Sequence, residues 1–466
     1  MGTQTSASRI TVRERRAAIG LDADVPVILS DGEVYDAGLD RFLLDLPLHG
    51  VRSRHSLRAY AYDIAVWLRF LAEARGVTVW AAGRDDVLAY HRARRRDDAA
   101  FRISARSWNR AVAALDKLYR WGEEQGLIAA APFARRVVWR RAAGGGRGCI
   151  ASTNTAYERG AGHADIRHLS LEAFRIFRDV GLRGLGPDGQ ERPGARDRNG
   201  ARNALFAELL LVTGLRLEEA SRLMAFEILG LDAPGSEARQ RWLRLPGPLT
   251  KGGRGRSVLI PDRLLAQIAD YAAVERRRAA AAFAARGGWR AIDRPIIAMA
   301  PTAAGRLTLV GGGGVAVETL TPDERGRVVF CDAAGAPVEP AALWLTEVGQ
   351  PVKPNSWEAI FARASRRCAE AGHPMQVHPH RLRHSFAVHM LAMLIERRLH
   401  DAAAPTGAME GYRRLLGDPL QQVQRLLGHA SLTTTYHYLD HVATQADTLD
   451  TAVDELMARL PAMWPR

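Results

Sequence analysis

The chain has 466 residues, 47% hydrophobic and 25% charged, which suits two or three soluble domains and excludes a disordered or fibrous polymer. Sixty-five lysines and arginines against 51 aspartates and glutamates leave a net charge of +14, which favours a polyanionic partner, most often nucleic acid. Cys149, Cys331 and Cys368 are too widely spaced for a disulfide framework or a cysteine zinc site and fit a reducing cytoplasm, and the most apolar run, ALFAELLLV at 204–212, is too short for a membrane span. Lys117, Lys251 and Lys353 are the lysines among those basic residues. A GC-rich coding bias accounts for arginine in place of lysine, but not for the excess over acids.

Residues 1–36 are polar, lack the apolar core of a secretory signal, and read as a flexible arm. From 37 to 133 the pattern is helical. Leu57, Tyr60, Ile64, Trp67, Leu68 and Leu71 form one stripe, and Trp108, Val112, Leu115, Leu118 and Tyr119 another. Residues 134–164, rich in glycine and arginine, read as a basic linker, with Arg135, Arg136, Arg140 and Arg141 placed to meet phosphates. A second folded region follows, in which Ser170 caps a helix and NALFAELLLVTGLRLEEASRL reads as helix, turn, helix. PLTKGGRGRSVLI predicts a strand–turn–strand hairpin with Lys251 at its tip and Arg254 and Arg256 beside it. Strand-like RLTLV and RVVFC surround GGGG at 311–314, which lacks the following Gly-Lys-Ser/Thr of a phosphate loop and reads as a surface loop. Helices return from Trp357, with a start signal at Asp418-Pro419 and an amphipathic last helix bearing Leu449, Val453, Leu456 and Leu460.

Four clusters carry chemistry: Arg216 and Glu219 in TGLRLEE, Lys251 in TKGGRGR, His380, Arg383 and His384 in PHRLRHSFA, and His429, Tyr436 and Tyr438 in LLGHASLTTTYHYLD. Each has a plain alternative: a solvated helix pair, a surface hairpin, a chance histidine cluster, a packing tyrosine. A metal site at His380/His384 is disfavoured because no glutamate completes the pattern and Arg383 sets a permanent cation beside it. Two arginines, a lysine, histidines and a tyrosine together suit a phosphate under attack. Forked guanidiniums hold the oxygens, a lysine protonates a leaving group, and a phenol forms a covalent ester.

In this order along the chain, Arg216, Lys251, His380-x-x-Arg383, His429 and Tyr438 resemble the catalytic set of the tyrosine recombinases, the family of phage integrases, chromosome-dimer resolvases and some transposon recombinases. The resemblance covers 165–445 and extends more loosely to 37–133. It implies a mainly α fold: an N-terminal helical, SAM-like core-binding domain, and an α+β catalytic domain with a small antiparallel sheet. It also implies site-specific DNA cleavage and rejoining through a 3′-phosphotyrosine, with no cofactor, metal or ATP.

By position, Arg216 and Arg383 would clamp the phosphate, and His380 would contact it and serve as base. Lys251 would be the acid, His429 would support the transition state, and Glu219 and His384 would stand behind them. Tyr438 would be the nucleophile, since it lies nine residues after His429 whereas Tyr436 lies seven after it. On one helix those two tyrosines would point about 200° apart.

The implied partners are double-stranded DNA with specific half-sites, a homo-tetramer on synapsed DNA, and an accessory protein or partner recombinase, all in the cytoplasm at the nucleoid. Stretches near 287–341 and 393–420 exceed a minimal catalytic domain and read as insertions. The helix in 446–466 docks either on a neighbouring protomer or on its own domain. A non-cutting DNA-binding regulator of the same fold and a type IB topoisomerase-like enzyme are the alternatives.

Overall fold

A computed structural model describes residues 16, 20, 25–29, 35–51, 53–140, 149–158, 168–186, 190, 199–231, 240–301, 305–402, 418–429 and 433–439. The last helix and most of the second insertion, 403–417, lie outside the described residues. The chain divides into two compact units, 1–164 and 165–466.

Unit 1 is built on helices α1 (Ala37–Asp45), α2 (Arg54–Phe70), α3 (Arg84–Arg95) and α4 (Ala105–Glu124). Their apolar stripes turn inward, burying Phe42, Ile64, Trp67, Val112, Leu118 and Tyr119 completely. The polar ends of the large aromatics find partners inside, with Trp67 Nε1 donating to Tyr119 Oη at 2.8 Å and Tyr119 Oη to Val79 O at 3.0 Å. Part of the N-terminal arm belongs to this core. Val25 is buried, and Arg16 reaches its carbonyl at 2.7 Å and the carboxylate of Asp40.

The basic linker is not structureless. β1 (Arg135–Arg140) and β2 (Cys149–Asn154) pair antiparallel, the strand-forming Val137, Val138 and Trp139 being flanked by arginines. The segment after β2 is tied to the helices. Trp108 Nε1 donates to Ala156 O at 2.8 Å, and Glu158 receives Arg95 Nη2 at 2.6 Å and contacts His91 Nε2 at 2.9 Å.

Unit 2 opens with α5 (Leu171–Ile176), capped by Ser170 Oγ accepting from Ala173 N–H at 3.1 Å. Then come α6 (Gly200–Thr213), α7 (Leu217–Ser221), α8 (Ala225–Leu229), the hairpin β3 (Gln240–Leu245) and β4 (Arg256–Pro261), α9 (Asp262–Tyr271) and α10 (Arg277–Ala285). The first insertion holds β5 (Ile296–Ala298), β6 (Arg306–Thr308), β7 (Gly314–Ala316), α11 (Pro322–Arg325), β8 (Val328–Cys331) and β9 (Pro337–Pro340). Finally come α12 (Pro354–Glu370), α13 (Pro379–Ala402), α14 (Pro419–Leu427) and the short α15 (Thr433–Tyr436).

The core of unit 2 is aromatic, with Phe206 stacked on Trp357 at 3.6 Å and Trp344 edge-on to both. The insertion adds its own apolar cluster of Leu307, Val317, Leu320, Val328 and Phe330, which closes over Met224. Among its described residues it contains, besides antiparallel pairs, a parallel pair, β5 with β8, which the intervening β6–β7 hairpin and α11 make possible as a crossover.

Candidate active site

Four separate segments of unit 2 converge. The first is the turn after α6. Gly214 closes α6 at φ +64°, and a Cβ there would stand 2.4 Å from Phe386 Cδ1, so both backbone and packing require glycine. The turn sets Arg216 at the N-cap of α7. Its N–H donates to Glu219 Oε2 at 2.7 Å, and its guanidinium to Oε1 at 2.9 Å. Glu219 is 0% exposed, so this is no solvated surface pair. Arg216 stays 25% exposed, which leaves N–H groups for an anion.

The second segment is β4. Arg256, expected from the hairpin's charge to face DNA, instead turns inward: its Nη1 and Nη2 donate to the two Glu219 oxygens at 2.6 and 2.8 Å, and its Nε to Leu426 O at 3.1 Å. The pleat explains the correction, because Arg256 shares a strand face with the fully buried Val258 and Ile260. Burial by itself would raise the Glu219 carboxyl, but hydrogen bonds and charge from Arg256, with Arg216, outweigh it and hold the group below the usual carboxylate range.

The third segment is the start of α13. Arg383 is buried, and its Nη1 donates to Gly214 O and its Nη2 to Leu427 O at 2.5 Å, tying the TGLR turn to the end of α14. Burial, then Arg216, push this guanidinium down to about 9, still a cation at neutral pH. One turn of helix brings His380 and His384 together, ring centroids 4.3 Å apart. Desolvation, then Arg383, His378, Arg216 and Lys251, push His380 down to about 4, although the residue as a whole is solvent-exposed.

The fourth segment runs from the end of α14 to Tyr438. Asp418 caps α14 through Leu420 N–H at 3.0 Å, and Gly428 closes it at φ +63°, where a Cβ would meet Arg256 Cδ at 2.7 Å. His429 Nδ1 pairs with Thr435 Oγ1 at 3.0 Å, and its ring lies parallel to Tyr438 at 6.1 Å. Desolvation, then Arg383 and Arg216, push His429 down to about 3. The Tyr438 hydroxyl lies 2.9 Å from His384 Nδ1. Burial raises the phenol above its usual value, against the opposing pull of Arg383 and Arg216.

The two tyrosines do not share one helix, so the expected 200° separation does not apply. α15 ends at Tyr436, and Tyr438 N–H turns back to Thr435 O at 3.0 Å. Burial separates them all the same: Tyr438 is 3% exposed and Tyr436 49%.

Arg216, Glu219, His380, Arg383, His384, His429 and Tyr438 are thus linked through hydrogen bonds, ring contacts or mutual charge effects. Lys251 stands on the exposed hairpin tip, with no hydrogen bond among the described residues, yet close enough for its charge to act on His380. Arg254 and Arg136 are exposed, and Arg135 is held by Asp116 at 2.7 Å. The Arg140 side chain and Arg141 lie outside the described residues. Arg256 was expected only as a DNA contact, not as the partner of Glu219, and Gly428 was not foreseen. Strand parity could have found the first, and the Gly after an amphipathic helix the second. Two guanidiniums beside a buried phenol, with imidazoles pushed below their usual range, make a cationic setting suited to an anion.

Residues 39–126 match the model of the phage integrase N-terminal SAM-like domain, and residues 193–399 that of the phage integrase family. The second stretch contains Arg216, Lys251, His380 and Arg383, whereas His429 and Tyr438 lie beyond it. Tyrosine recombinase XerC of Rhodospirillum centenum is 27% identical over 401 residues, 83% of this chain and 78% of that protein. XerC of Shewanella oneidensis is 39% identical over 102 residues, 22% of this chain, so the match spans only 25% of that relative's length. Among solved structures, XerH site-specific recombinase bound to difH substrate aligns over 92% of this chain and 89% of its own, with 15% identity and a TM-score of 0.44. With both of its units matched in order and near full-length similarity to a XerC, the chain belongs to the tyrosine recombinase, or phage integrase, family.

Proposed function

We propose that this protein is a site-specific DNA recombinase of integrase or transposon type that cleaves and rejoins duplex DNA through a 3′-phosphotyrosine, without metal or ATP. The observation that supports this best is the phenol of Tyr438, buried under the influence of Arg383 and Arg216 with histidine rings on two sides. Arg216 and Arg383 clamp the scissile phosphate, and His380 and His429, kept neutral, donate hydrogen bonds to it. Lys251 protonates the leaving 5′ oxygen, reached by movement of its exposed hairpin. Fixed cations supply the charge stabilisation a metal would otherwise give. The phosphotyrosine conserves the energy of the broken ester, so no nucleotide is consumed. The working form is a homo-tetramer on two synapsed sites, acting on DNA at the nucleoid.

The test is covalent trapping. Nicked duplexes tiled across the sequence flanking the gene are incubated with the protein, and protein-linked DNA is recovered and sequenced. Tyr438→Phe should abolish the adduct and Tyr436→Phe should keep it. Recombinant product supports strand exchange. Plasmid relaxation alone would point to a nicking and resealing enzyme, and DNA retention with no adduct to a regulator.

A further inference from the structure

We propose that His384 takes the proton of Tyr438, a role that the family resemblance gives to His380. The inference rests on the reading of Tyr438 as the nucleophile and deepens it.

Three observations carry it. His384 Nδ1 lies 2.9 Å from the tyrosine oxygen, the reacting atom itself. The other histidine packed on Tyr438, His429, lies with its ring parallel to the phenol at 6.1 Å and has its Nδ1 engaged by Thr435, so it presents a face rather than a lone pair. His380 meets the edge of His384 instead, with ring centroids 4.3 Å apart, and no hydrogen bond joins it to Tyr438 among the described residues. With the proton of the neutral ring on Nε2, Nδ1 accepts the hydroxyl.

The step balances without a co-reactant. The Tyr438 O–H bond breaks and its proton passes to His384 Nδ1. The oxygen–phosphorus bond forms as the bond to the 5′ oxygen breaks, and that oxygen takes a proton from Lys251. Among the described residues, the titratable groups set against His384 include His380 one turn earlier on its own helix, Tyr438, and His429 after α14, on which the charge of His384 acts. Resealing of the ester runs the same transfer in reverse, His384 Nδ1 returning the proton to the Tyr438 oxygen.

Two measurements test this. Nitrogen-15 spectra of histidine-labelled protein, with the His384 signals identified by their loss in His384→Asn, should show an unprotonated Nδ1 that shifts in Tyr438→Phe. A protonated Nδ1, or one indifferent to Tyr438→Phe, overturns the proposal. Single-turnover adduct formation on the duplex trapped by wild-type protein should slow about 100-fold or more in His384→Leu, with DNA retention unchanged. In His384→Asn the amide oxygen still accepts the hydroxyl but cannot keep its proton. That variant should also be slow at neutral pH and recover as pH rises. Either variant reacting at the wild-type rate sinks the proposal while leaving the proposed function intact. An adduct absent from the wild type, or carried by another residue, would instead remove the reading beneath it.

Discussion

Glu219 shows how much one side chain does in this site. A carboxylate at 0% exposure is tolerable only because Arg256 forks onto both of its oxygens and Arg216 adds a third charge-assisted bond. Glu219→Gln would leave two guanidiniums facing a neutral amide, and breaking a buried pair this way costs about 3–5 kcal/mol. A loss of unfolding free energy of that size is expected, read as a lowered urea midpoint at unchanged m, and an unchanged midpoint would show the pair to be dispensable.

His380 and His429 give a second prediction at this scale. Their folded values, about 4 and about 3, lie below the roughly 6.5 of a free histidine. Between those values the unfolded chain binds more protons than the folded one. Stability is therefore fully present above pH 6.5 and declines as pH falls toward 4. Urea midpoints at pH 7.5 and 5.5 should differ in that direction, and by less in His429→Gln. The motif residues Arg216, His380, Arg383 and Tyr438 were legible because each sits in a short motif and the motifs follow one order along the chain. The second cation on Glu219 comes from 37 residues away in another element, which no local pattern announces.

At the scale of elements, turns and caps set the geometry. Gly214 ends α6 in the left-handed region and lets Phe386 of α13 close over it. Gly214→Ala combines backbone strain with a 2.4 Å contact and should destabilise the protein by more than about 1 kcal/mol. It should also slow adduct formation, since Arg383 hydrogen-bonds the Gly214 carbonyl. Denaturant unfolding together with covalent trapping checks both parts. The helices of unit 1 and the TKGGRGR hairpin were readable from period and turn chemistry. The β1–β2 pair was not, because RRVVWR lacks the period-two alternation of a strand and the surrounding glycines and arginines read as a linker. The stop of α15 at Tyr436 was not readable either: TTTYHYL holds no breaker, and burial of Tyr438 against His384 decides where the chain turns.

At the scale of the whole molecule, the excess of 65 basic over 51 acidic residues supports DNA binding that is strongly salt-dependent. The slope of log affinity against log salt, measured by fluorescence anisotropy, separates the hairpin arginines. Arg254→Ala should lower its magnitude by about 1, the release of one phosphate contact. Arg256→Ala should leave the slope alone and lower thermal stability, because its charge is spent on Glu219. The first insertion, foreseen as extra length with strand-like pieces, closes its own small core on Met224, and its Ala341 carbonyl accepts from Ala225 N–H, close behind the helix of Glu219.

From its sequence alone the chain declares a basic, mainly helical protein of two units, its family, and the residue types of its site. Composition, period and short-range spacing are properties of the chain itself. Only the tertiary structure decides that Arg256 serves Glu219, that Arg383 locks Gly214 to Leu427, and that Tyr438 meets His384. Each of these is a contact between segments remote in sequence, fixed by which faces are buried together and by the need to pair every charge that burial strips of water.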